Sequence, residues 1–459
     1  MSLPDQELEL LLQQGADLSR AGAHENVLLS CEEVLRHQPD SSQAWYLHGL
    51  ALYELGRYEA AIASFSQCLQ FDQTDPVAFN MQGMAQFQVG QYGPAIASFD
   101  QALQLKPDFH QVWHNRGNAL ERQGEYQAAL DSYNRALELE PGYAKSLYNR
   151  GVVLARMGSY EAAIASYDRA LEVRPHYSHV WYNRANALIG LERYQEALFN
   201  LDRVVAIQPQ WAAPWYNRGN VLHQLGSYEE AIASYDQALQ LDASFADAWY
   251  NRGNSLSTLA RYDEAISSYR KALDIQPTLQ QAWYNWGTAL HKSGRYYEAV
   301  ATYDKVLELT PDFARAWYSR GSALRKLGLY AEAIASFDQA VKLQPSLYEA
   351  WYGRGLALGH LGHNHAAIAS YDRALRINPR LSVVWCSRGV ALSHLGDYEE
   401  AIMSYDQALK LRPECSATRS RRTLALRHCR TIKARASDRC QPDHPLDETT
   451  IAQASPLLG

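Results

Sequence analysis

The sequence has no run of 18 apolar residues, and this sets aside a membrane-spanning helix. Cysteine is sparse: Cys31, Cys68, Cys386, Cys415, Cys429 and Cys440, with no CxxC pair among them. That scarcity argues against a disulfide framework or a zinc site and for a reducing, cytoplasmic compartment. The amino terminus, MSLPDQELELLL, is acidic where a secretory signal would be basic. No phosphate loop, HExxH, GxSxG or dinucleotide fingerprint is present, so nothing points to an enzyme or to a cofactor. Positive charge is also short. The net charge is −7, yet from Ser416 onward eight Lys/Arg face four Asp/Glu, which leaves a body of −11. An acidic body argues against general nucleic-acid binding.

What is present is a period. Trp45, Trp113, Trp181, Trp215, Trp249, Trp283, Trp317, Trp351 and Trp385 are spaced by 34 or 68 residues, and Phe79 and Leu147 fill the skipped slots. Units starting three residues before this slot begin at 8, 42, 76, 110, 144, 178, 212, 246, 280, 314, 348 and 382, and the last ends at Cys415, with no insertion or deletion. Composition suits a soluble folded protein, at 47% hydrophobic and 20% charged, and length alone would suggest three domains. A repeat this regular replaces that estimate with one array.

In the unit 212–245, Trp215, Gly219 and Leu222 share one helical face. Gly226 follows as a helix end. A second helix then places Ala231, Tyr235 and Ala238 on one face, and Gly219 and Ala231 allow a close approach of the two backbones. Proline closes ten units, as at Pro209 and Pro277, and stops the second helix. Burial of Trp215, Trp249 and Trp283 is expected. Unit 8–41 is degenerate and suits a cap. Residues 416–435 read as a basic capping helix with Leu424, Cys429 and Ile432 inward, and residues 436–459 as a disordered tail.

These residues resemble the tetratricopeptide repeat family, whose pattern is W-x2-L-G-x2-Y, then A-x3-F, then P. Here it reads W-x2-R-G-x2-L, then A-x3-Y, then P, across about nine-tenths of the chain. The resemblance implies an all-α, right-handed superhelical solenoid of about twelve 34-residue helix-turn-helix repeats with a capping helix. It implies a non-catalytic scaffold that binds an extended peptide or several partners in the concave groove. The alternatives are a recruiting arm for an enzyme on a separate chain and an RNA-binding helical array.

The family lines its groove with first helices, so the resemblance places Tyr148, Asn149, Tyr182, Asn183, Asn186, Tyr216, Asn217, Asn220, Tyr250, Asn251, Asn254, Tyr284 and Asn285 against a partner. The Asn183-type row resembles an asparagine ladder, in which a side-chain amide donates to and accepts from peptide backbone. The competing reading is that these asparagines satisfy neighbouring helix backbones. His291, Lys292, Arg315, Arg325, Lys326, His360 and His394 fall at groove-like slots and suggest an acidic partner near 280–415. The resemblance does not extend to the family's clamp for C-terminal carboxylates, which needs Lys where this chain has Tyr.

Breaks in the repeat are where unique chemistry would show. His360, His363 and His365, with His394 one period on, could hold a metal, but no carboxylate or Cys accompanies them, and a solvated helix end accounts for them as well. The tail arginines could form an anion-binding patch or simply solubilise the capping helix.

The arginine beside the glycine recurs, and Asp follows the second-helix aromatic in many units. Pairing each Asp with the Arg 16 residues on makes the losses coincide, since Ser66 then meets Gln82 and Arg270 meets Trp286. The expected inter-repeat pairs are Asp100–Arg116, Asp168–Arg184, Asp202–Arg218, Asp236–Arg252, Asp304–Arg320, Asp338–Arg354 and Asp372–Arg388. If partly buried and bidentate, such pairs set geometry more than they add stability; Asn134 can still hydrogen-bond Arg150, Arg270 can stack on the Trp286 indole, and the competing reading is independent solvated charges.

Overall fold

The computed structural model describes residues 5–439, and within them the chain is all-helical, with twenty-five helices and no strand. It divides into two compact units, Met1–Ala243 and Ser244–Gly459. The first carries seven helix-turn-helix hairpins, from Asp5–Arg20 with His24–His37 to Ala212–Gln224 with Tyr228–Leu241. The second carries five, from Ala246–Thr258 with Tyr262–Ile275 to Ser382–Leu395 with Tyr398–Leu411, and ends in the single helix Ser416–Arg439.

One contact makes most of the hairpins. In the hairpin 212–241, a Cβ added to Gly219 would lie 2.5 Å from Cε1 of Tyr235, so the ring occupies the space a side chain would need. Tyr235 is 1% exposed, and Ala231 and Ala238 beside it are fully buried. Where the glycine slot holds Ala185, the facing residue is Leu201, which has no ring. The first helix stops at Gly226, whose φ is +81°. There the Ser227 amide reaches back to the Leu222 carbonyl at 2.9 Å, the bond of a left-handed C-terminal cap. Glu192 and Ala260 hold this conformation without being glycine, at φ of 57° and 58°. A Cβ there crowds the backbone and costs about 1–2 kcal/mol.

Within each unit every second helix packs on the next first helix. First helices also touch first helices one hairpin on, as Ser42–Glu54 does Pro76–Gln88 and Ala314–Lys326 does Tyr348–His360. Second helices make no comparable contact with one another. First helices therefore crowd the inside of each unit's bend, and second helices spread over its outside.

The tryptophans differ from expectation. Trp215, Trp249 and Trp283 are only partly buried. An indole N–H needs a partner, and Trp215 finds one at the rim, donating from Nε1 to the Pro209 carbonyl at 2.9 Å. Trp113, Trp181, Trp283, Trp317, Trp351 and Trp385 do the same with Pro107, Pro175, Pro277, Pro311, Pro345 and Pro379. The proline thus ends one hairpin, and its carbonyl anchors the next.

The terminal helix also differs. It runs to Arg439, beyond residue 435, so the expected tail boundary at 436 falls inside a helix, and residues 440–459 lie outside the described residues. Leu424 and Ile432 are 55% and 52% exposed, and Cys429 is half-buried, whereas Thr418 and Ala425 face the core. The reason is register. This helix continues the 34-residue period as one more first helix, so its inward positions are those of a first helix.

Two stability outcomes follow. Tyr235→Ala should cost about 3–5 kcal/mol, and Trp215→Ala clearly less, as read from denaturant midpoints. Ala260→Gly should raise the midpoint by the equivalent of about 0.5–1 kcal/mol, whereas Gly in a helix interior would lower it.

Candidate functional site

Two rows of polar side chains run along each unit, one inside and one outside. The inner row is carried by first helices. Asn183 Nδ2 donates to the Tyr148 hydroxyl of the preceding hairpin at 2.9 Å. Asn217 Nδ2 donates to the Tyr182 hydroxyl at 3.1 Å and to Asn186 Oδ1 at 2.9 Å. Asn285 repeats this with Tyr250 at 3.1 Å and Asn254 at 2.9 Å, and Asn149 bonds Asn118 at 2.7 Å. The receiving asparagines are themselves used from below. Tyr235 donates to Asn220 and Tyr269 to Asn254, both at 2.9 Å. Asn251 Oδ1 accepts from Asn254 at 3.4 Å.

Both N–H groups of the Asn217 and Asn285 amides, and one each of Asn149 and Asn183, are thus engaged within the chain, side chain to side chain. This corrects the expectation of amides free both to donate and to accept. What remains is weighted to acceptors: among the described residues, Oδ1 of Asn149, Asn183, Asn217 and Asn285 accepts no hydrogen bond, and none of these atoms is buried.

The tyrosines beside them are partly exposed and lean on their own hairpin's ring, with centroids 6.2 Å apart for Tyr216 and Tyr235 and 6.1 Å for Tyr250 and Tyr269. Tyr182 lies 4.6 Å from Trp211, and the Tyr284 hydroxyl is 3.3 Å from Ser319 Oγ. At the same slot His114 is buried against Ser146 Oγ at 3.0 Å, and burial pushes its imidazole pKa down to about 4.

The basic residues singled out in the second unit lie on first helices. Lys292 lies over the Tyr262 ring at 6.0 Å, and His291 Nε2 is 3.5 Å from Ser322 Oγ. Burial first, then the charges of Lys326 and Arg325, hold His291 below the usual histidine range. Arg325 is half-buried, and Arg315, Lys326, His360 and His394 are exposed. His360 stacks flat on Tyr330 at 4.7 Å. His363 and His365 are exposed, and no group of three metal-ligating side chains occurs among the described residues.

The outer row is ionic. Arg Nε donates to the preceding hairpin's Asp Oδ1 in Asp100–Arg116, Asp168–Arg184, Asp202–Arg218 and Asp372–Arg388 at 2.7 Å, and in Asp304–Arg320 and Asp338–Arg354 at 2.6 Å. The contact is not a bidentate fork. Nη1 turns instead to a polar residue on the arginine's own second helix: Ser132, Asn200, Ser234, Ser336, Ser370 and Ser404. Each arginine therefore ties two hairpins together. It also lies near its tryptophan, at 5.8 Å for Arg116 over Trp113 and 5.9 Å for Arg218 over Trp215. Arg252 sits likewise over Trp249 at 5.9 Å and donates to Ser268 at 2.7 Å, while Asp236 belongs to the other unit.

Gln82 is a neutral version, donating to Ser66 Oγ at 2.9 Å and accepting from Ser98 Oγ at 3.2 Å. Two expectations fail. The Trp286 indole stacks on Trp283, at 5.2 Å and 20°, rather than under Arg270, and its buried Nε1 lacks a partner. Asn134 and Arg150 share no hydrogen bond among the described residues.

Sequence reasoning missed the serine row, although it recurs two residues before the Asp. It also missed Arg422, which lies 34 residues after Arg388 and pairs with Asp406.

Such paired helices joined by an aromatic-on-glycine contact define a helical-hairpin repeat protein. Family models described as TPR repeat match residues 83–124 and 219–259. Models described as tetratricopeptide repeat match 31–76, 284–348 and 326–382, then 108–176 and 142–210, then 246–279 and 382–415. The chain belongs to the tetratricopeptide repeat family. No curated protein sequence matches it.

Among solved structures it is similar to YrrB, described as a TPR protein with an unusual peptide-binding site, at 27% identity over 40% of this chain and 95% of that one, TM-score 0.37. It is similar to the APC/C Cut9–Hcn1 hetero-tetramer at 14% identity over 92% and 97%, TM-score 0.42. It is similar to yeast Tom70 at 16% identity over 87% and 97%, TM-score 0.34. At these scores the likenesses carry no functional argument.

The arginine row should behave as coupled pairs. A double-mutant cycle on Asp168→Ala and Arg184→Ala should give a coupling of about 1 kcal/mol that shrinks with salt, and a coupling of zero would make the charges independent.

Proposed function

We propose that this chain is a non-catalytic scaffold that holds an extended protein segment along the inner face of its first helices. The observation that carries this is the row of Asn149, Asn183, Asn217 and Asn285. Their amide nitrogens are fixed to the chain, and their carbonyl oxygens are left open beside partly exposed tyrosines. A row of acceptors suits the N–H groups of an extended backbone, which asks nothing of the partner's sequence. Tyrosine adds contact area with little conformational entropy to lose. In the second unit Arg325 and Lys326 form no ion pair among the described residues, so an acidic stretch of the partner fits there.

The test is capture of partners from the source cell by the full chain and by two variants. Asn149, Asn183, Asn217 and Asn285 changed together to Ala should keep the helicity while partner capture falls. Each lost bond should also lower stability by about 1 kcal/mol, so capture is compared where circular dichroism shows both chains folded. Arg325→Glu with Lys326→Glu should weaken capture without altering the midpoint. Capture unchanged in the alanine variant would refute the ladder's role, and capture unchanged in the reversal would remove the acidic stretch.

A further inference from the structure

The outer row has one place where its logic is interrupted twice. In the hairpin 144–173 the tryptophan slot holds Leu147, and in the preceding second helix the Asp slot holds Asn134. Both losses have structural consequences.

Leu147 has no N–H to offer the Pro141 carbonyl, which is the counterpart of the Pro107 and Pro175 carbonyls that bind an indole elsewhere. Arg169 takes over that task, donating from Nη2 to Pro141 O at 3.2 Å. This draws the Arg169 guanidinium across the position that the indole fills in other hairpins, beside Arg150.

Arg150 in turn has lost its carboxylate. In six other junctions the same arginine holds an Asp at 2.6–2.7 Å. Arg150 has no ion pair and no hydrogen bond among the described residues. It does not bond Ser166 either, whose hydroxyl donates to Ala162 O at 3.1 Å. It is half-buried, while Asn134 and Arg169 are exposed, so the gap opens outward. Two guanidinium groups therefore share one site, and no carboxylate among the described residues is bonded to either.

We propose that Arg150 and Arg169 form a docking site for a carboxylate side chain, Asp or Glu, of a protein partner, which takes the place left empty by Asn134 on the outer face of the first unit. The six intact junctions show that this slot accepts an aspartate carboxylate on Arg Nε. Burial, and next the charge of Arg169, hold Arg150 below its ordinary pKa, so an incoming anion would relieve an unfavourable pair. A carboxylate is named rather than a phosphate because the same slot holds an aspartate carboxylate at those six junctions. The site is separate from the inner face and stands or falls without it.

The experiment uses the full chain labelled with 15N-arginine, with hexaglutamate peptide and inorganic phosphate as probes. The Arg150 Nε–H resonance is assigned by its disappearance in Arg150→Gln. Hexaglutamate should shift it saturably, while the Arg184 resonance, already bonded to Asp168, stays in place. Asn134→Asp restores the missing carboxylate. It should move the Arg150 resonance toward that of Arg184 without peptide, leave the fold intact, and weaken the peptide-induced shift at least tenfold. A wild-type Arg150 resonance that ignores hexaglutamate would overturn the proposal. So would an equal response in Asn134→Asp, or a response to phosphate alone.

Discussion

The ring of the second helix lying on the glycine of the first is the contact on which the rest depends. It leaves no space for a Cβ at Gly219, and it fixes how close and at what angle the two helices meet. Ridge-and-groove packing alone would allow several such angles. With the ring in place its hydroxyl reaches Asn220, which sets one end of the inner polar row. The same seating puts Arg218 within reach of both Ser234 on its own second helix and Asp202 on the preceding one. A hairpin without the ring, with Ala185 and Leu201, shows the dependence. There Asn186 receives only the Asn217 amide, and Asn200 stands in for the serine under Arg184.

A junction such as that between the hairpins 178–207 and 212–241 is then pinned at two points, by neutral amides on the inside and by a shared guanidinium on the outside. The two differ physically. Amide bonds to tyrosine and asparagine are insensitive to salt and short in reach, so they fix spacing. The guanidinium bridge is partly solvated, and ion pairs of this kind set geometry more than they add stability. Junctions also differ among themselves. Gln82 keeps the geometry without charge, and Trp286 gives up the bridge for a stacked indole. Such variation lets bending along a unit be graded one junction at a time.

The period, the helix pairs and the direction of the Asp-to-Arg relation were legible in the sequence, because a 34-residue repeat aligns every slot and lets the exceptions show which partners change together. What was not legible concerns where polar atoms end. Periodicity places Trp215 on the core face, but only the fold shows that its N–H needs the Pro209 carbonyl and therefore lies at the rim. It puts Asn183 on the inner face without revealing that Tyr148 already takes its amide. The terminal helix was misjudged by treating Leu424 and Ile432 as a hydrophobic face. Following the repeat past residue 415 would have aligned Arg422 with Arg388 and faced Ala425 inward.

We propose that a partner lies on the first helices, over a row of asparagine carbonyl oxygens whose amide nitrogens are bonded within the chain. Amide hydrogen exchange of the full chain, with and without a captured partner, tests this most directly. New protection should fall on first helices such as Ser178–Gly190 and Ala212–Gln224, with the second helices Tyr160–Val173 and Tyr194–Ile207 little changed. Protection concentrated on the second helices, with the first helices unaltered, would contradict it.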